Sequence, residues 1–218
     1  MMDIRAQINY YRQQLRDSPI AIEYLRSRGI TSETANYFEI GYAPHAPLFN
    51  ALCEHRIVLP VKDTMGDYVA FVGRIIDKED TRSKYWNSWE SAEYQKGRIL
   101  FGFADSFPQI LAMSSVILVE GQFDFLTLWQ NGIRNVVACS GTSFTPVHAR
   151  LLARYADTVY VAFDADSAGE KGRLTAQTYL ERLGVRVISV KLLDGEDPDS
   201  FIKKYGAQEF LKYLQVGL

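Results

Sequence analysis

Three short runs rich in β-branched residues punctuate the carboxy-terminal half of this 218-residue chain: Val116-Ile117-Leu118-Val119, Val159-Tyr160-Val161-Ala162-Phe163 and Val185-Arg186-Val187-Ile188-Ser189-Val190. A strand with one wet face alternates apolar and polar side chains. Runs without that alternation read as strands covered on both faces, the condition of a parallel sheet flanked by helices. The intervening segments supply the crossovers. Helical periodicity covers 123–131, then 145–155, with Val147, Leu151 and Tyr155 aligned behind Thr145-Pro146, then 170–183 ahead of Gly184. The expectation is a βαβαβαβ unit.

Each of the three runs is followed by carboxylates: Glu120 and Asp124, Asp164 and Asp166, and Asp197 and Asp199. Sites in sheets of this kind form at the carboxyl edge. The three clusters are therefore expected on one edge, within mutual reach. Carboxylates about 4 to 6 Å apart repel and drive one another's pKa up unless a hard, oxygen-seeking cation holds them ionised. A divalent-metal site, with Mg²⁺ as its natural occupant, follows. Asp124 has a second explanation, since a carboxylate in the first turn of a helix gains from the N-terminal dipole without any catalytic duty.

The amino-terminal half has a different period. Ser18-Pro19 reads as an N-cap and first helical position for a helix ending at Gly29 with Ile22 and Leu25 on one face, and a second helix follows Thr31. Ile57, Leu59 and Val61, a turn from Asp63 to Gly66, and the run from Tyr68 to Ile75 read as an antiparallel hairpin. The fold class is thus α/β: an α+β amino-terminal subdomain at 1–107, then an α/β domain at 108–218 with a mainly parallel sheet and a short C-terminal helix. With 47% hydrophobic residues the chain can bury a real core. No run approaches the roughly 20 apolar residues of a membrane span, and the polar start lacks a signal peptide's apolar stretch, which points to the cytoplasm. Cys53 and Cys139 lie in no CxxC pair, so reduced thiols are expected and zinc is not. A net charge of −2 conceals a cationic stretch with Arg56, Lys62, Arg74, Lys78, Arg82, Lys84, Lys96 and Arg98, interspersed with acids. On charge alone this is equally a solvated mixed face.

In detail, Glu120-Gly121-x-x-Asp124, Asp164-x-Asp166 with Ala168-Gly169, and Asp197-Pro198-Asp199 resemble the TOPRIM domain of DnaG-type primases, topoisomerases and some nucleases. Ser140-Gly141-Thr142-Ser143-Phe144-Thr145 and Asp194-Gly195-Glu196-Asp197-Pro198-Asp199 resemble the SGTxxT and DGxDPD segments of bacterial DnaG-type primases. So do Tyr24-Leu25-Arg26-Ser27-Arg28-Gly29-Ile30, Phe38-Glu39-Ile40-Gly41-Tyr42-Ala43-Pro44, the segment from Arg56 to Asp63, Gly73-Arg74, Lys84-Tyr85-Trp86-Asn87-Ser88 and Lys96-Gly97-Arg98. The similarity spans nearly the whole chain and is to the RNA polymerase core, without the family's zinc-binding and helicase-binding domains. Val72 and Trp89 depart from the family's glycine and proline, and the segment between Pro44 and Arg56 and the tail after Asp199 are short.

The resemblance implies a core that makes short RNA primers on single-stranded DNA from ribonucleoside triphosphates. Two or more Mg²⁺ or Mn²⁺ ions would be held by Glu120, Asp164 and Asp166 with Asp197, Asp199 and Asp124. Glu120 is then either the group that moves a proton at the primer 3′ hydroxyl or a metal ligand alone. Template and nucleotides would lie on Arg56, Arg74, Lys84, Tyr85, Asn87 and Lys96. Trp86 and Trp89 serve equally as stacking or packing residues. A helicase or separate initiation factor would supply start-site selection. The alternatives are a TOPRIM metal-dependent nuclease or phosphotransferase, and a non-catalytic replication-accessory module that binds nucleic acid.

Overall fold

A computed structural model describes residues 3–45, 53–77, 79–141, 143–193 and 195–216. Lys78 of the cationic stretch, Thr142, Asp194 and most of the short segment after Pro44 lie outside the described residues. The chain divides into two compact units, Met1–Tyr94 and Gln95–Leu218.

The first unit is built on an antiparallel sheet in the order β1 (Gly41–Ala43), β2 (Arg56–Lys62), β3 (Tyr68–Ile75) and β4 (Tyr85–Asn87). The expected hairpin is β2–β3, with a register shift at Val61/Lys62. Its turn is organised by Asp63, whose side chain accepts from the Met65 and Asp67 N–H groups. Helix α1 (Ile4–Arg16) lays Ile8 and Tyr11 on one face of this sheet, against Ala43, Val58 and Phe71. Helix α2 (Pro19–Ser27) starts as expected, with the Ser18 hydroxyl accepting from Ala21 N–H, and α3 (Ser32–Tyr37) is capped in the same way by Thr31. The face of α2 differs from the expectation. Ala21 and Leu25 are buried, one helical turn apart, while Ile22 is 38% exposed.

The second unit holds a fully parallel sheet in the order β6 (Val136–Ala138), β5 (Ser115–Val119), β7 (Thr158–Val161) and β8 (Arg186–Ser189). All five residues of β5 are buried, as its lack of alternation requires. Each fully buried Val, Leu or Ile contributes roughly 1.5–3 kcal/mol. The crossovers are α5 (Gln122–Gln130), α6 (Pro146–Ala153) and α7 (Ser167–Glu181), followed after β8 by α8 (Pro198–Tyr205) and α9 (Ala207–Val216). The boundary falls well before residue 107. Helix α4 (Phe103–Met113) packs on β5 and β6, and Phe101 bridges to Ala138, so this segment belongs to the parallel unit. Helix α4 escaped the sequence reading because Pro108 interrupts its pattern. Among the described residues no helix is long and apolar enough to cross a membrane.

Candidate active site

In the parallel unit β6 lies on one side of β5 and β7 on the other, so the direction of winding reverses between β5 and β7. The carboxyl ends of those two strands therefore flank the crevice where open α/β sheets bind ligands. Glu120 directly follows β5, and Asp164 stands just past β7. The two segments touch: Glu120 Oε1 accepts the Asp164 N–H at 3.1 Å. Asp166 caps α7, accepting from Gly169 N–H at 2.8 Å. Gly169 is there because of space, since a Cβ would stand 2.1 Å from the Asp164 carbonyl oxygen and 3.0 Å from Glu120 Oε1. Only glycine lets the first turn of α7 close on the acidic strand ends.

This crowding has an electrostatic signature. Burial, then the neighbouring carboxylates of Asp164 and Asp166, push the Glu120 carboxyl up to about 7, against the pull of the Asp164 N–H and Arg173. Arg173 is buried, pairs with Glu170, and donates to the carbonyls of Phe163 (3.3 Å) and Asp164 (3.1 Å). It pins the chain that carries Asp164. The sequence reading missed it, although it follows Asp166 by two helical turns and so shares its face of α7.

The remaining carboxylates form a second group. Asp124 is buried; its Oδ2 accepts from Gly121 N–H at 3.0 Å and its Oδ1 from Asp199 N–H at 3.3 Å. Asp199 is also buried, accepting from the Thr127 hydroxyl, with Lys203 Nζ at 2.7 Å. These bonds fasten α5 to α8. Asp197 caps α8 and accepts from Ser200 N–H at 2.6 Å. Burial raises the Asp124 carboxyl well above the usual range, reinforced by Asp197, Asp164 and Asp199. The two groups meet through the Ala165 N–H, which donates to the Glu196 carbonyl at 3.2 Å.

The six carboxylates expected to share ions thus fall into two hydrogen-bonded groups. As the side chains stand, no three His, Cys, Asp or Glu among the described residues are grouped closely enough to hold an ion. Glu120, Asp164 and Asp166 interact at the strand ends, whereas Asp124 and Asp199 spend their oxygens on helix clasps, Asp124 on the backbone N–H groups of Gly121 and Asp199, and Asp199 on the Thr127 hydroxyl and Lys203.

The cationic residues divide in a similar way. Arg56, expected on a nucleic-acid surface, is 2% exposed and donates to the carbonyls of Gly73, Ser83 and Lys84. It joins β2 to the segment before β4, a framework role that its charge could not reveal. Arg74 donates from Nε to the Tyr24 hydroxyl at 3.0 Å and from its guanidinium to the Tyr85 hydroxyl, over whose ring it stacks at 4.8 Å. Arg28, Arg74, Arg82 and the exposed Lys84 line a cavity of about 740 Å³ with Tyr24, partly countered by Asp77 and Asp80. Asn87 accepts from the Tyr94 hydroxyl, Trp86 packs beside the α1 core, and Trp89 is 78% exposed. Lys96 lies in the other unit, in a 3-10 turn at Lys96–Arg98. That turn is held by the Thr145 hydroxyl, which donates to the Gly97 carbonyl at 2.7 Å.

Comparison with known proteins agrees with this architecture. Residues 48–106 match the DNA primase catalytic core N-terminal domain family, and residues 117–202 match the Toprim-like family. The DNA primase of Aquifex aeolicus is 36% identical over 94% of this chain and 47% of its own length. The chain spans less than half the length of the curated relatives it matches. A solved DnaG catalytic core superposes with a TM-score of 0.85 at 30% identity, covering 97% of this chain and 78% of that one. A DnaG primase catalytic domain bound to single-stranded DNA gives 0.86 at 29% identity, covering 98% and 77%.

Proposed function

Because the chain belongs to the DnaG-type DNA primases and carries their catalytic core with its Toprim domain, we propose that it joins ribonucleotides into short primers on a single-stranded DNA template. The observation that carries this reading is the meeting of Glu120 with Asp164 and Asp166 at the β5/β7 strand ends, where burial and the neighbouring carboxylates hold the Glu120 carboxyl up to about 7. Hard oxygen donors pressed together at this cost suit a divalent cation, Mg²⁺ or Mn²⁺, in two or more positions. When bound, such ions supply the positive charge that neutralises triphosphate oxygens in nucleotidyl transfer. Glu120, Asp164 and Asp166 would hold them, with Asp197 beside. We assign Asp124 and Asp199 to keeping α5 and α8 in place.

Glu120, beside Asp164 at the strand ends, takes the proton of the attacking hydroxyl. Arg173 keeps the Asp164 segment in register with β5. Lys84 and Arg74, stacked with Tyr85, bind phosphates of template or nucleotide, Asn87 lies on the same strand as Tyr85, and Lys96 adds a cation on the parallel unit. Start-site selection falls to a helicase or a separate initiation factor. The test is incorporation of labelled ribonucleotides on single-stranded DNA with Mg²⁺ or Mn²⁺. Short RNA products that vanish with Asp164→Ala are expected. Absence of product with either metal overturns the polymerase reading, and DNA cleavage in its place would mark a nuclease.

A further inference from the structure

The acidic edge opens onto a cavity that none of the roles above uses. It measures about 380 Å³, toward the low end of the roughly 300–1,000 Å³ typical of small-molecule sites. Its floor is apolar, formed by the buried rings of Phe144 and Phe163. Gly172 makes room for that floor: a Cβ there would come within 2.9 Å of the Phe163 ring. The rim is polar. It carries the Ser143 and Thr175 hydroxyls and the exposed Lys171, with Glu120 at the boundary with the acidic strand ends. The Thr175 hydroxyl donates to the Lys171 carbonyl at 2.9 Å and keeps its lone pairs available to accept. Lys171 forms no ion pair with a described residue.

An apolar floor of two phenylalanines, two hydroxyls, one cation and an opening beside the Glu120 carboxyl match the parts of a nucleotide in kind and number. We propose that this cavity is a subsite for one nucleoside phosphate unit. The base lies against Phe144 and Phe163, the ribose hydroxyls meet Ser143 and Thr175, the phosphate pairs with Lys171, and the sugar end faces Glu120. The proposal rests on the nucleotidyl-transfer reading, which it deepens by adding a pocket on the parallel unit for the reacting nucleotide. Small residues at the mouth, Gly141 and Ala168, keep it open.

The test is calorimetric titration of the full chain with AMP, adenosine and inorganic phosphate in EDTA, so that no cation at the acidic edge contributes. Primer synthesis is measured in parallel as a function of nucleotide concentration. AMP is expected to bind. Lys171→Ala should weaken AMP roughly tenfold, the loss of one charge-assisted contact, leave adenosine unchanged, and be rescued by Lys171→Arg. Thr175→Phe, which fills the cavity from the surface of α7, should abolish binding of both, with far-UV circular dichroism checking the fold. Lys171 is exposed, so its pair of variants decides the matter even if the Thr175 variant misfolds. No AMP binding, or binding that the Lys171 variants leave unchanged, overturns the subsite. If no primers form but AMP binding responds to Lys171, the catalytic reading fails and the subsite stands. Primers made with unaltered nucleotide dependence by Lys171→Ala and Thr175→Phe remove the subsite alone.

Discussion

In the antiparallel unit Glu39 is surrounded by Arg5, Arg12 and the Tyr68 hydroxyl, whereas in the parallel unit Glu120 faces Asp164 and Asp166. Burial raises both carboxyls. For Glu39 the Tyr68 hydroxyl and the two arginines outweigh it and hold the group below its usual value; for Glu120 the neighbours add to it, up to about 7. The same side-chain type is therefore a brace in one unit and a stored cost in the other. Local charge that a fold leaves unmatched at a sheet edge is charge for a ligand to complete.

The largest expected effect separates these two roles. Asp164→Asn should lower ribonucleotide incorporation roughly 10³-fold without lowering the melting temperature, because it relieves repulsion on Glu120. Glu39→Gln should do the reverse. Leaving Arg5 and Arg12 without their carboxylate costs about 2 kcal/mol, a fall of roughly 4–8 °C for a chain of this size. This brace is present above the unfolded value near 4.5 and is lost as pH falls through the lower folded value, so the gap between wild type and variant should close in acid.

Glu120→Gln sharpens the contrast from the other side. The folded carboxyl is raised, so its ionisation penalty is absent below about 4.5 and complete above about 7. In chelator at pH 8 the variant should be more stable by about 1–2 kcal/mol after solvent screening, and at pH 4.5 indistinguishable, by denaturant titration. A stability loss at pH 8 would show that Glu120 is a brace like Glu39. The smallest effect is expected at His148, which burial lowers to about 4 against the Lys96 and Ile99 carbonyls, and whose Nδ1 accepts from Thr145 N–H. A depressed histidine stabilises fully above 6.5 and less as pH falls toward 4. At pH 5.5 wild type should have lost about 1 kcal/mol that His148→Gln does not lose.

Much of this was legible in one dimension. The unbroken apolar composition of Val116–Val119 announces a strand buried on both faces, and Ser18, Thr31 and Thr145 each mark a helix start with their own side chain. These are local effects, set by the nearest neighbours along the chain. Trp86 and Trp89 show the limit: two tryptophans three residues apart, of which the first packs and the second stays exposed. Arg56 was misread for a related reason, since the carbonyls that consume its donors come from a segment some thirty residues onward.

The order of residues along the chain was enough to specify a parallel sheet, its helix caps and the edge on which six carboxylates end. How those carboxylates divide their work became visible only with long-range contacts. Asp199 is tied to Thr127 and Asp124 across more than seventy residues, while Glu120 and Asp164 meet across more than forty. Hydrophobic period and capping act over one or two turns, so a string of letters contains them. Which oxygen is consumed by a buried N–H and which is left facing a cation depends on where distant backbones come to lie, and that is a property of the packed chain.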